Sequence, residues 1–280
     1  MKKKLLALSL IGFLVFPTFV SPSAAATIQK EVDCSNSTSC DERLKSLGVP
    51  QDLILEMEAE KKEDILNSPV VSFDGAITTT YKGGKPISTV TIDENGKEVE
   101  ALKDGVGDFE LYGTIPGDEF VITIDVYTLV TANNRKAKQI YSNYQWKKSP
   151  FFRDDDPFGI AWSSKWRAID NTARNVDYYQ HNSTWKVNDD TTQLAYSHSN
   201  GVGWHADLRG DTTAGLKGYG KIHIETLSTS NPSGSDQLHT NYGHVKGLVG
   251  SIGLSFAAVG VTVTGTRSHD EAGTYKTFTY

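Results

Sequence analysis

The sequence predicts a mainly β chain, an antiparallel β-sandwich or barrel-like domain over residues 69–280, preceded by a short N-terminal helical hairpin. Three observations predict it. After Pro69, apolar residues alternate with period two in short Val-, Ile- and Thr-rich runs. Gly, Asn and Asp turn signals separate these runs about every ten residues, the rhythm of sandwiches and barrels. Helical periodicity is confined to residues 27–68.

The chain opens with MKKK, continues with the apolar run LLALSLIGFLVFPTFV and then reads SPSAAA. These are the three parts of a secretory signal peptide, residues 1–26, with cleavage expected between Ala26 and Thr27. Pro17 and Pro22, close to the small-residue site, argue against an uncleaved anchor. No cysteine stands at the cleavage point, so a lipid anchor is not indicated. No later stretch reaches the ~18 continuous apolar residues of a helical span. The protein is therefore expected to be secreted and extracellular, with association at the cell surface left open.

Without the three lysines of residues 1–26, 25 basic residues face 34 acidic ones, a formal charge of −9. That balance favours solubility and disfavours nonspecific binding to nucleic acid or anionic lipid, so no nucleic-acid partner is expected. Cys34 and Cys40 are the only two cysteines. In an oxidising compartment this C-x5-C pair is expected to close a short disulfide loop. Such a loop is worth roughly 2 kcal/mol on the chain-entropy model, so the fold must rest on its core. Zinc would need further ligands nearby, and the segment has none.

In the segment 27–68, Ser39 to Glu42 has the capping-box arrangement and starts a helix to about Leu47. Gly48 suits the helix end, and Pro50 the start of a second helix over 51–66. Its apolar residues Leu53, Ile54, Met57, Ile65 and Leu66 cover part of one face, which predicts a weakly packed acidic arm. Asn67-Ser68-Pro69 ends it.

The strand-like runs VVSF, AITTTY, PISTVTI and KEVEAL follow, with Asn95-Gly96 as a tight-turn signal. FVITIDVYTLVT (120–131) and RKAKQIYSNYQW (135–146) form the longest expected hairpin, with Phe120, Ile122, Ile124 and Val126 on one face. Residues 148–175 are less regular, and a sub-boundary is placed near 148. STWKV, TQLAYSHS, VGWHADL, GYGKIHIETL and TNYGHVK resume the alternation, with a loop at 228–237.

Candidate chemistry is sparse. All seven histidines lie between His181 and His269, without metal-ligand spacing. His239 and His244 should point to opposite faces of a strand, and His223 and Glu225 to the same one. Asp154, Asp155 and Asp156 form the densest carboxylate group and are the weak calcium candidates. They lack the alternate spacing and glycine turn usual for that ion, so no cofactor is expected. Asn188-Asp189-Asp190 is a second acidic spot. Nucleophile-elbow and phosphate-loop motifs are missing. The five tryptophans and twelve tyrosines suit core and cross-strand packing, with sugar stacking as the alternative.

GLVGSIGLSFAAVGVTVTG, residues 247–265, is the most apolar run outside the N-terminus. Leu248, Gly250, Ile252, Leu254, Phe256 and Ala258 fall on a bulky face, and small residues on the other. Without a distinctly polar face it reads as a buried core strand, and stable membrane insertion is not expected.

The stretches WKKSPFFRDDDPFGIAW (146–162), GVGWHADL (201–208), NYGHVK (241–246) and the run from Gly247 resemble a loose group of secreted, β-rich proteins of Gram-positive bacteria. The likeness covers about residues 120–265, implies a Gram-positive source and implies no catalytic residues. The leading expectation is a secreted, non-enzymatic protein acting by binding at the cell surface or on a target cell. A membrane-active or pore-forming, bacteriocin-like toxin is the alternative, with candidate hairpins at 120–146, 191–208 and 247–265. A secreted hydrolase with unpatterned acidic residues is the third. The oligomeric state is open.

Overall fold

The period-two runs become strands in a computed structural model, which describes residues 32–34, 37–99, 119–131, 133–209, 215–257 and 260–280. The expected leader with its Ala26–Thr27 cleavage point, and residues 100–102 of KEVEAL, lie outside the described residues. Among the described residues of KEVEAL, Glu98 forms a bridge with Ile92 and the Val99 N–H donates to the Thr91 carbonyl.

Two sheets face each other, so the expected antiparallel β-sandwich is what forms. In chain order the first strands are β1 (Val70–Lys82), β2 (Lys85–Ile92), β3 (Phe120–Leu129), β4 (Ala137–Trp146), β5 (Asp155–Trp162) and β6 (Trp166–Ala168). Then come β7 (Arg174–His181), β8 (Thr184–Thr191), β9 (Tyr196–His198), β10 (Gly201–Asp207) and β11 (Leu216–Thr226). The chain ends with β12 (Ser235–Val245), β13 (Ile252–Ala257), β14 (Gly260–Gly265) and β15 (His269–Thr279). The large sheet runs β2-β1-β3-β4-β11-β7-β8, with β6 also paired to β11. The small sheet runs β15-β12-β5-β10-β9, and β13-β14 form a separate two-stranded sheet.

The inner faces hold one core. Phe120, Ile122, Ile124 and Val126 on β3, with Ile140, Tyr144 and Trp146 on β4, meet Phe158, Ile160, Val202, Trp204 and Tyr242 from the small sheet. The β3–β4 hairpin has the expected register, Phe120 opposite Trp146. Trp146, Trp162, Trp166 and Trp204 are fully buried, so aromatic packing forms the centre of the core.

The irregular stretch 148–175 contains a surprise, because its DDPFGIAW (155–162) is the central strand β5 of the small sheet. Pro157 is tolerated there because β12 pairs with β5 only from Phe158 onward. Beyond that point the Asp156 carboxylate takes over the ladder and accepts the Val245 N–H at 2.9 Å.

The helical arm comprises α1 (Ser37–Ser46), α2 (Gln51–Glu56) and α3 (Ala59–Asn67). Two expectations are corrected here. Helix α1 starts before Ser39, which lies inside its first turn. The single helix over 51–66 is broken, because Met57 adopts an extended conformation with ψ of 135°. Lys217 of β11 stabilises the break, bonding both the Glu56 carbonyl (3.3 Å) and the Glu58 carboxylate (2.5 Å).

The arm is also not weakly packed. Leu44, Val49, Ile54, Met57 and Ile65 share a second apolar cluster with Phe73, Tyr127, Tyr141, Val176 and Tyr219 of the large sheet. Buried ion pairs join the same surfaces. Lys61 bonds Asp125 at 2.5 Å and Asn143 at 2.7 Å, while Asp64 accepts from Lys221 at 2.7 Å and Tyr141 at 2.6 Å. The Cys34–Cys40 disulfide closes a loop at the start of the arm. Residues Val32–Tyr280 form one compact unit.

One core carboxylate gives the fold a pH dependence. Asp177 of β7 accepts hydrogen bonds from the Tyr144 hydroxyl (2.8 Å), the Asn175 amide (3.0 Å) and the Asp207 N–H (2.9 Å). Burial pushes its pKa up to about 7, against those three bonds. Above the ordinary carboxylate pKa the unfolded chain releases this proton while the folded chain keeps it. Its contribution is therefore fully present below pH 4 and is lost as pH rises to about 7. The unfolding free energy of the wild type relative to Asp177→Asn is expected to fall by a few kcal/mol across that window. Urea titrations at several pH values check this, and a pH-independent difference contradicts it.

Candidate functional site: a docked amphipathic hairpin

Residues 247–265 do not form a buried core strand, which corrects the sequence reading. They fold back on themselves as β13 and β14, with Ile252 opposite Gly265 and Ala257 opposite Gly260. Among the described residues no backbone ladder joins this hairpin to either sheet. It lies on the outer face of the small sheet, the side away from the arm.

Pairing two strands doubles the alternation seen in one. Leu254 faces Val263 and Phe256 faces Val261, and these side chains with Ile252 form one apolar face. Ser255 opposite Thr262 and Gly253 opposite Thr264 form the other. Val261 and Val263 are buried against the small sheet, whereas Ser255, Thr262 and Thr264 are exposed. A single arm of the hairpin looks uniformly apolar; the pair is amphipathic. The threonines of the second arm supply the missing polar face.

The surface beneath is built for close approach. A Cβ at Gly159 would stand 2.8 Å from Leu254 Cδ1, and one at Gly203 2.5 Å from the same atom. A Cβ at Gly201 would overlap the Phe256 ring, and one at Gly243 would stand 2.7 Å from Val263 Cγ1. Four glycines on β5, β10 and β12 thus form a shelf that only a residue without a side chain can supply. The Phe256 ring also stacks on His198 of β9, centroids 6.3 Å apart. The sequence carried a trace of the shelf in GVGWHADL, whose Gly201 and Gly203 fall on one strand face.

Polar groups clamp the hairpin at its base. Arg267 donates to the Gly247 carbonyl and to Asp154, the latter at 2.6 Å. Lys246 bonds Asp270 at 2.6 Å, and its N–H donates to the Ser268 carbonyl at 2.8 Å. Gly250 and Gly265 turn the chain there with φ of 112° and 128°. Below the clamp, fully buried Asp156 accepts from the Tyr242 hydroxyl at 2.6 Å and stands 2.8 Å from His244 Nδ1. Burial raises its pKa, while those partners and the Val245 N–H pull it down.

The Asp154–Asp156 triplet is thereby split three ways. Asp154 pairs with Arg267, which holds its carboxyl below the usual range, Asp155 pairs with Arg209 at 2.9 Å, and Asp156 turns into the core. Among the described residues no three His, Cys, Asp or Glu side chains are grouped as a metal site. His223 and Glu225 share a strand, and Glu225 pairs with Arg167. Burial lowers the His223 pKa to about 4. Gly218-Tyr219-Gly220 lies within β11.

No protein-family model matches the chain, and no curated protein matches it. Solved structures similar in part include the following two. One is described as manganese lipoxygenase of Gaeumannomyces graminis with a partial structure of zonadhesin of Komagataella pastoris. It shares 6% identity over 76% of this chain and 88% of that chain, with a TM-score of 0.23. The other is the collagen binding domain of the Erysipelothrix rhusiopathiae surface protein RspB, with 6% identity over 76% of this chain and 84% of that chain, and a TM-score of 0.25. At such scores neither likeness bears on function.

Proposed function

We propose that the protein is an exported, non-enzymatic, membrane-active protein that deploys the β13–β14 hairpin into a lipid bilayer. One observation carries this reading. An amphipathic hairpin sits outside both sheets, held by its apolar face on a glycine shelf and by polar groups at its base. The disulfide suits an oxidising compartment, and no helix among the described residues is long and apolar enough to cross a membrane.

A bilayer accepts strands only when they close into a barrel without unpaired edges. Each arm must then supply about 9–11 residues. The strands themselves are shorter, and the flanks continue the pattern in part. Straightening Gly250 and Gly265 aligns residues 247–257 with 260–270, placing Leu248 on the apolar face and Ser251 and Thr266 on the polar one, while Arg267 and His269 fall on the apolar face at the base of the hairpin, the level of the head groups. The apolar side chains then exchange the shelf for lipid, so the transfer is nearly balanced. Pairing with neighbouring copies becomes the deciding term. With two strands per copy, the smallest barrels of about 8 strands need at least about four copies.

The test is dye release from vesicles of phosphatidylcholine, alone and mixed with phosphatidylglycerol, with the mass of the vesicle-bound protein measured after detergent extraction. Release accompanied by assemblies of four or more copies is the expected outcome. Intact vesicles together with protein that remains monomeric overturn the proposal.

A further inference from the structure

Far from the hairpin, a cleft of about 360 Å³ opens between the helical arm and the outer face of the large sheet. Its size falls at the lower end of small-ligand pockets, about 300–1,000 Å³. Trp185 and Tyr178 line it, with Asn143 and Gln145 beside them, and Leu53, Leu55 and Met57 form the wall on the arm. Trp185 is the one tryptophan that is not buried. The Lys217 ammonium lies 4.4 Å from its ring centre and bonds Glu58, so ring and cation are fixed together.

The charge in the cleft is balanced. Lys61, Lys147 and Lys217 face Glu56, Glu58 and Asp125. A cleft of this kind selects neither an anion nor a cation. It offers hydrogen-bonding capacity instead. Asp125 receives Lys61 and Asn143 on Oδ2, yet its buried Oδ1 has no partner among the described residues. The buried Tyr178 and Tyr219 hydroxyls bond at most to each other. The residues that carry these leftover buried oxygens line the cleft, beside the accessible amides of Asn143 and Gln145, and such a wall suits a ligand with many small donors and acceptors.

From this combination we infer that the cleft is a binding site for a neutral saccharide. A sugar ring presents an apolar C–H face suited to Trp185 and Tyr178, and a rim of hydroxyls suited to amides, carboxylates and tyrosine hydroxyls. The inference stands independently of membrane activity and gives the protein a means of choosing its target surface.

Titration of the full chain with the methyl glycosides of glucose, galactose, mannose, N-acetylglucosamine and N-acetylgalactosamine tests it, followed by tryptophan fluorescence and calorimetry. At least one glycoside is expected to bind saturably and to shift the emission of Trp185. Gln145 belongs to neither apolar cluster, and Gln145→Ala is expected to weaken binding at least tenfold with the melting temperature retained. Trp185 packs against the arm's cluster, so Trp185→Ala is expected to weaken binding at least tenfold with some loss of stability, read separately by the melting temperature. Absence of binding by all five glycosides overturns the inference. So does binding that both variants leave unchanged, or stronger binding of glucuronate than of methyl glucoside.

Discussion

Asp156→Ala is expected to cost about 3–5 kcal/mol of folding stability, the range for breaking a buried, hydrogen-bonded charge site. The substitution strands three groups at once. The Tyr242 hydroxyl, His244 and the Val245 N–H all converge on this carboxylate, and the site is fully buried. Tyr242 also receives the Trp146 indole N–H at 3.1 Å, so the disturbance reaches the centre of the core. A typical domain has only about 5–15 kcal/mol to lose. Asp156→Asn keeps the volume and one acceptor and is expected to lose less. Urea unfolding ranks the variants, and a loss below about 1 kcal/mol for the alanine contradicts the account. Because Val245 leads directly into the hairpin's base, the same variant is expected to speed amide exchange in β13 and β14.

Much of the fold was legible in the sequence, and the reasons are local. The β3–β4 hairpin announces itself because Phe120, Ile122, Ile124 and Val126 alternate and the partner strand supplies Ile140, Tyr144 and Trp146. The Cys34–Cys40 bond follows from two cysteines and short spacing. Strand β5 escaped notice because three aspartates and Pro157 are poor strand formers. Only tertiary contacts explain them, with Asp156 buried and Asp154 held by Arg267. The break between α2 and α3 depends on Lys217, 161 residues from Glu56, which no window along the chain contains.

The candidate site was half legible. Residues 247–265 stood out by composition, but one strand considered alone hides the polar face that its partner completes. The shelf of Gly159, Gly201, Gly203 and Gly243 draws on three strands, and only their pairing brings those glycines together. The cleft beside the arm draws on still more distant elements, and the expectation of a weakly packed arm concealed it.

If hairpin release is the step that makes the protein active, fastening the hairpin to its shelf must abolish activity. A Cβ at Gly243 would lie 3.3 Å from the Val263 Cβ. That is near the ~3.5–4.5 Å Cβ separation of a disulfide, and both native cysteines are already paired. Removing the valine methyl groups makes the room that a side chain at position 243 needs. The most direct measurement is therefore dye release by the double variant Gly243→Cys/Val263→Cys before and after reduction, with wild type plus reductant as control. The account predicts intact vesicles with the oxidised variant and release at the wild-type rate once it is reduced. Release by the oxidised variant as fast as by wild type would contradict it.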